Sequence, residues 1–257
     1  LHNKYFKKQL KTISQIDIAP TLARVLEVEM PECDGQPIDE LVDWDARSAV
    51  LVIVDGLGYD LYQSMAPSLC SIPEIASAGI LKPVQSVSLR TSPAIASILC
   101  GLLPEHHGIT DTEAAKRSPV LSIPDIASEA GLRCSVVMEK EGAMVYDGLI
   151  DFIGPVDRML PPDEFDRQIC SFSLQALAFA PRLLVSYFIG LDKAAHNGRD
   201  FDGFVAAARN IDDCIGRIFS SLDKNTIIII IGDHPVHAGA LKRNAGPFCV
   251  AMAACMV

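Results

Sequence analysis

Residues 226–234, Thr226-Ile-Ile-Ile-Ile-Ile-Gly232-Asp233-His234, decide the fold. Five consecutive isoleucines show no polar alternation. The run therefore reads as a strand covered on both faces, as in a parallel sheet packed between helices. Gly232 ends it, and Asp233 and His234 follow at once. Acid and imidazole at the end of a buried strand are poor packing residues, since burying them unpaired costs roughly several kcal/mol. Asp and neutral His are also ligands of zinc-like ions.

The same grammar recurs on either side. Ala49–Val54 is an apolar run ending at Asp55-Gly56-Leu57-Gly58, and Leu183–Ile189 is another, closed by Gly190-Leu191-Asp192. Strands are also expected at Ile80–Val87, Cys134–Met138 and Phe248–Met252. Helices are expected at 16–27, Pro93–Leu102, Ile123–Ala130, Phe165–Phe179 and Phe201–Leu222. Strands alternating with helices predict an α/β fold with a doubly wound, mostly parallel sheet flanked by helices, in a single domain spanning 1–257. Ligands of such sheets gather beyond the carboxyl ends of the strands. Asp55, Asp192 and Asp233 would then share one rim.

The 257 residues suffice for one large α/β core. Their 49% hydrophobic content and mean hydropathy of +0.27 suit a doubly covered sheet. The longest apolar stretch, Ile169–Ile189, is split by Pro181 and Arg182, so no membrane span is expected. A formal charge of −10 argues against nucleic acid as a partner, because backbone binding needs a basic face. Eight cysteines without a C-x-x-C read as buried free thiols in a reducing cytoplasm. No secretory signal opens the chain, and Leu1-His2-Asn3-Lys4 does not look like a natural start, so upstream sequence is expected. Oligomeric state is left open.

Each candidate has a plain structural alternative. Thr91, just before a predicted helix, is a good N-cap, with Ser92 as its rival. A helix N-terminus also favours negative charge, so a phosphoryl group on Thr91 would be stabilised there. Asp192-Lys-Ala-Ala-His196 places two ligand types at i and i+4, facing one way, or is a capping acid with an incidental His. Asp55 either ligates a metal or caps a turn. His237 supplies a second imidazole near His234. His106 and His107 read as loop-structuring, and Asp212 and Asp213 as the polar face of a long helix.

Taken together, AVLVIVDGLGYDLY, TSPAIASILCGLLPEHHGIT, YFIGLDKAAHNGRDFDGFVAAARNIDDCIGRI and IIIIIGDHPVH resemble the alkaline phosphatase superfamily, in particular its type I phosphodiesterase/nucleotide pyrophosphatase branch. The resemblance implies two divalent ions, zinc first and manganese second. One would be held by Asp55, Thr91, Asp233 and His234, the other by Asp192, His196 and His237. It implies that Thr91 attacks phosphorus to form a phospho-threonine, later hydrolysed by water. The substrate would be a small phosphate ester or nucleotide. A phosphotransferase, or a binding protein without turnover, are the rival readings.

The chain departs from that family in four ways. His237 follows His234 more closely than usual, with His2 a remote substitute. Thr112 stands where an oxyanion-binding Asn is expected. The length leaves no room for the insertion that marks the family's mutases. Residues 16–38 resemble the segment that normally closes such proteins, which implies a permutation or a misplaced gene boundary and predicts that residues 1–47 form a segment packing beside the final strand.

Overall fold

The structure, a computed structural model, describes residues 12–239, 241–242 and 248–257. Its centre is a sheet of seven strands: β1 (Ser48–Val54), β2 (Ile80–Gln85), β3 (Cys134–Glu139), β4 (Phe152–Val156), β5 (Leu183–Phe188), β6 (Thr226–Gly232) and β7 (Cys249–Met256). Their order is β2-β7-β6-β1-β5-β3-β4. The block from β6 to β4 is parallel throughout, and β7 runs antiparallel to both of its neighbours.

Every residue of β5 and β6 is buried, as is every residue of β1 after Ser48. Both faces are therefore covered. One group of helices (Ile18–Leu26, Thr91–Cys100 and Ile123–Glu129) packs together over β1 and β3. Another (Ser71–Ala78, Pro162–Leu177 and Phe201–Phe219) packs over β7, β5 and β4. The two edge strands both contain proline, Pro83 in β2 and Pro155 in β4. An edge is where a residue without an N–H is tolerated, and it discourages further pairing. No helix among the described residues is long and apolar enough to cross a membrane.

The expected core strands are all present. β7 is longer than expected and antiparallel. β4 carries Gly154 and Pro155, which hide its strand character, and the helices Tyr59–Met65, Ser71–Ala78 and Gly190–His196 are additions. The helix Ile18–Leu26 takes its main contacts from β1 and from helices 91–100 and 123–129, not from the final strand, so that expectation is corrected. Its Ile18, Leu22, Val25 and Leu26 need the broad face of the sheet to cover them. Earlier in the segment, Ile13 and Ser14 pair with Gln85 of β2, the strand beside β7.

Candidate metal and phosphoryl site

Parallel register builds the rim. Val54, the last residue of β1, stands opposite Phe188 of β5 and Gly232 of β6. The residues that follow these three therefore emerge at one level. Gly56 turns the chain with φ +80, where a side chain would be strained, and its backbone lies against Asp192. Gly232 is equally tight: a Cβ there would stand 2.3 Å from the Leu57 carbonyl oxygen.

Asp233 is fully buried. Its Oδ1 accepts from the N–H groups of Gly56 (3.0 Å) and His234 (2.7 Å), while Oδ2 has no hydrogen-bond partner. Asp55 repeats the pattern: Oδ2 accepts from the Tyr187 hydroxyl, and Oδ1 is unpartnered. Both free oxygens face His234 Nε2, at 3.3 Å from Asp55 and 3.4 Å from Asp233. His234 Nδ1 is 3.2 Å from the Pro235 carbonyl oxygen, which can only accept. That contact calls for a proton on Nδ1, and Nε2 is the ring atom turned toward the two carboxylate oxygens, where it could ligate a metal. Thr91 Oγ1 completes the group, 3.2 Å from the same nitrogen.

Thr91 is not the cap of its helix. Arg90 is, in extended conformation and without a side-chain cap bond, and Thr91 is the first helical residue. Its hydroxyl is thus free for the rim. The first amide used within the helix is that of Ala94, bonded to Arg90 O. The amides of Thr91 and Ser92 lie in the unpaired first turn, which favours an anion beside the hydroxyl.

The second group lies beside the first. One ligand atom each from Asp192, His234 and His237 fall within 4.8 Å of one another, as do those of Asp55, Asp233 and His234. Asp192 Oδ1 and His237 Nδ1 are buried, 3.8 Å apart and without hydrogen bonds. His196 Nε2 is 3.3 Å from Asp192 Oδ2, and its ring is 5.1 Å from that of His237. All seven sequence candidates are brought together: Asp55, Thr91, Asp233 and His234 on one side, Asp192, His196 and His237 on the other. His234 lies between both groups, whereas His196, at the end of its short helix and half-exposed, joins through Asp192. The short turn through Pro235 does deliver His237. His2 lies outside the described residues.

Electrostatics state what the cluster lacks. Burial, then repulsion from Asp233 and Asp192, pushes the Asp55 carboxyl well above its ordinary value. Burial lifts Asp233 to about 6. Burial also lowers His237, which keeps that imidazole neutral and able to ligate. Three buried acids, each with an unpartnered or weakly partnered oxygen turned inward, fit divalent cations and little else.

Sequence reading missed the supports. Gln15 is fully buried; its amide N–H groups bond to the carbonyls of Gly232 and Asp233, and its Oε1 accepts from Val87 N–H at 2.9 Å. It thereby ties the Asp233 turn to the loop before Thr91. Tyr187 aims Asp55. A Gln between Ser14 and Ile16 carries no motif that could have revealed this. His106 and His107 brace the loop after the Thr91 helix: His106 pairs with Asp34, and His107 bonds to Ser97 and to the Ile109 N–H. Asp212 is not on a solvated face; it is buried and accepts from the N–H groups of Cys70, Ser71 and Ile72.

A mixed sheet with acids and histidines at the carboxyl ends of its parallel strands defines the class: this is the fold of the alkaline phosphatase superfamily. A superfamily member from Vibrio parahaemolyticus superposes with TM-score 0.59 at 15% identity, covering 82% of this chain and 60% of that one. Within the class, residues 124–244 match the family described as type I phosphodiesterase / nucleotide pyrophosphatase, a span that includes Asp192, His196, Asp233, His234 and His237. Phosphonoacetate hydrolase from Sinorhizobium meliloti 1021, in complex with phosphonoacetate, superposes with TM-score 0.60 at 16% identity over 73% of this chain. Murine ectonucleotide pyrophosphatase / phosphodiesterase 5 does so with TM-score 0.56 at 17% identity, also over 73%. This chain spans 56% and 57% of those two proteins' lengths. No curated protein matches it in sequence.

Proposed function

We propose that this protein is a metal-dependent phosphohydrolase, acting on a phosphodiester or nucleotide-type pyrophosphate through a phospho-threonine at Thr91. The observation that carries the reading is the free oxygens of Asp55 and Asp233 converging on His234 Nε2, with Thr91 Oγ1 3.2 Å from that nitrogen. Asp55, Thr91, Asp233 and His234 would hold one divalent ion; Asp192, His237 and His196, with His234 adjacent, would hold the other. Zinc is the first choice and manganese the second for this donor set. Bound cations would supply positive charge at the phosphoryl oxygens and lower the pKa of the attacking hydroxyl and water.

The chain's own residues do the rest. Thr91 Oγ1 attacks phosphorus as its proton passes to solvent, the bond to the leaving oxygen breaks, and that oxygen takes up a proton from water. The N-terminus of helix 91–100 offsets charge on the phosphoryl oxygens. Water then attacks phosphorus and the Thr91 Oγ1–phosphorus bond breaks, restoring the alcohol. An inactive threonine-to-alanine variant of the murine protein forms a complex with AMP, which supports a small phosphate ester as ligand and a threonine in this role. A cytoplasmic setting belongs to the same proposal and is supported by eight free cysteines.

The test is metal content and bis-p-nitrophenyl phosphate hydrolysis on protein purified without chelator. Two ions per chain and chelator-sensitive release of nitrophenol are expected. Thr91→Ala should keep its metal and lose turnover by ~10³-fold or more. Full activity in that variant would sink the covalent mechanism.

A further inference from the structure

A cavity of about 110 Å³ opens beside Thr91, running along the face of its helix past Ile95 and Leu99 to Glu139 and Tyr146. It is smaller than the roughly 150 Å³ apolar cavity that accepts a benzene ring, so it suits a short substituent. Its charge is one-sided. Asp111, Asp125 and Glu139 line it, and no Lys, Arg or His does so among the described residues.

Two of these acids are already engaged. Asp111 accepts from the Ala114 N–H and Asp125 from the Ser122 N–H and hydroxyl, and that hydroxyl also meets Tyr146 Oη at 3.1 Å. Glu139 differs. Its Oε2 is buried with no hydrogen-bond partner. It stands at the N-terminus of the short helix Lys140–Ala143 yet makes no side-chain cap bond there, so capping does not explain it. Glycine at 142 leaves room for the carboxyl, since a Cβ would come within 2.7 Å of Glu139 Oε1. Register puts Glu139 at the same rim as the metal-ligand candidates: Val137 of β3 stands opposite Ser186 of β5, so Glu139 lies level with Phe188. Burial lifts the carboxyl to about 7, a cost that a bound donor would relieve.

We propose that this cavity receives the organic substituent of the phosphoester and that Glu139 selects a short substituent bearing an ammonium group. The proposal rests on the phosphoester reading above and narrows it. A neutral alkyl group would fill the apolar walls but leave Glu139 unpaired. A carboxylate or second phosphate would face three acids with no cation among them.

Two isosteric monoesters test it: 2-aminoethyl phosphate and propyl phosphate, titrated calorimetrically into zinc- or manganese-loaded protein. The aminoethyl ester should bind at least tenfold more tightly. Glu139→Gln should erase that preference and leave propyl phosphate binding within about twofold. Equal affinity, or tighter binding of the propyl ester, overturns the cavity assignment while the phosphoester reading stands. A preference that survives Glu139→Gln overturns the role of that residue. Binding of neither ester by metal-loaded protein that hydrolyses bis-p-nitrophenyl phosphate overturns the cavity assignment alone; with no hydrolysis either, the phosphoester reading falls with it.

Discussion

Two regions of this protein bury carboxylates, and they treat them in opposite ways. In the helical layer, Asp212 and Asp166 have every oxygen occupied by backbone amides. Asp212 takes three, from Cys70, Ser71 and Ile72. Asp166 takes those of Ile189 and Gly190, at 3.0 and 3.1 Å, where the helix carrying Asp192 and His196 begins. At the rim, Asp55 and Asp233 have one oxygen pinned and the other bare, and Asp192 has one oxygen on His196 and the other bare. A buried acid satisfied by amides has finished its structural work. A buried acid with an oxygen held in place and left unpaired is arranged for something that binds later.

The largest effect that tests this contrast is expected from Asp233→Ala. It should release metal and lower phosphodiesterase kcat/KM by ~10³-fold or more, about 4 kcal/mol, with the fold retained by circular dichroism. Unchanged metal content would put Asp233 among the structural acids. Asp212→Ala should do the reverse. Three amides lose their acceptor, costing roughly 2–4 kcal/mol in denaturant unfolding, while metal stoichiometry stays the same. Loss of metal without loss of stability would erase the distinction.

A smaller effect is expected at Tyr187→Phe, which unpins Asp55 Oδ2 and leaves the metal donors intact. Metal affinity should drop about 10–100-fold, read by competition with a chromogenic chelator. An unaltered affinity would show that the pinning is incidental. The smallest concerns a partly exposed acid. Asp34 receives the Leu103 N–H and pairs with His106, and these hold its carboxyl below the usual range. The hydrogen bond and charge of Asp34 raise His106. That contribution is complete below the ordinary His value near 6.5 and is lost as pH rises through the raised one. The Tm difference between wild type and His106→Ala should therefore be slight at acid pH and vanish in the alkaline range. A difference that grows with pH would contradict the pairing.

Much of this was legible in the sequence because local pattern and chemistry coincide there. The isoleucine run of β6 and the valine-rich run of β1 announce doubly covered strands, and the acids after them announce a rim. Pro155 and Gly154 masked β4 because edge position, which makes proline acceptable, is a property of the assembled sheet. Asp212 was misread as solvated because helical periodicity shows which face a residue lies on but not what covers that face. The N-terminal helix was expected beside the last strand because its sequence matched a segment whose place is set by chain order, whereas its apolar residues required the open face over β1.

By itself, the sequence determined the alternation of strands and helices, the carboxyl-end acids and the seven Asp, Thr and His residues that the fold gathers. These follow from hydrophobic periodicity and side-chain chemistry, which are local. Tertiary structure alone decided that His234 sits between two groups, that Gln15 ties the Asp233 turn to the loop before Thr91, and that Glu139 lines a cavity with one carboxylate oxygen unpartnered. Each of these depends on which strand ends lie level and which backbone amides are already taken, and that is fixed only when the sheet closes its register.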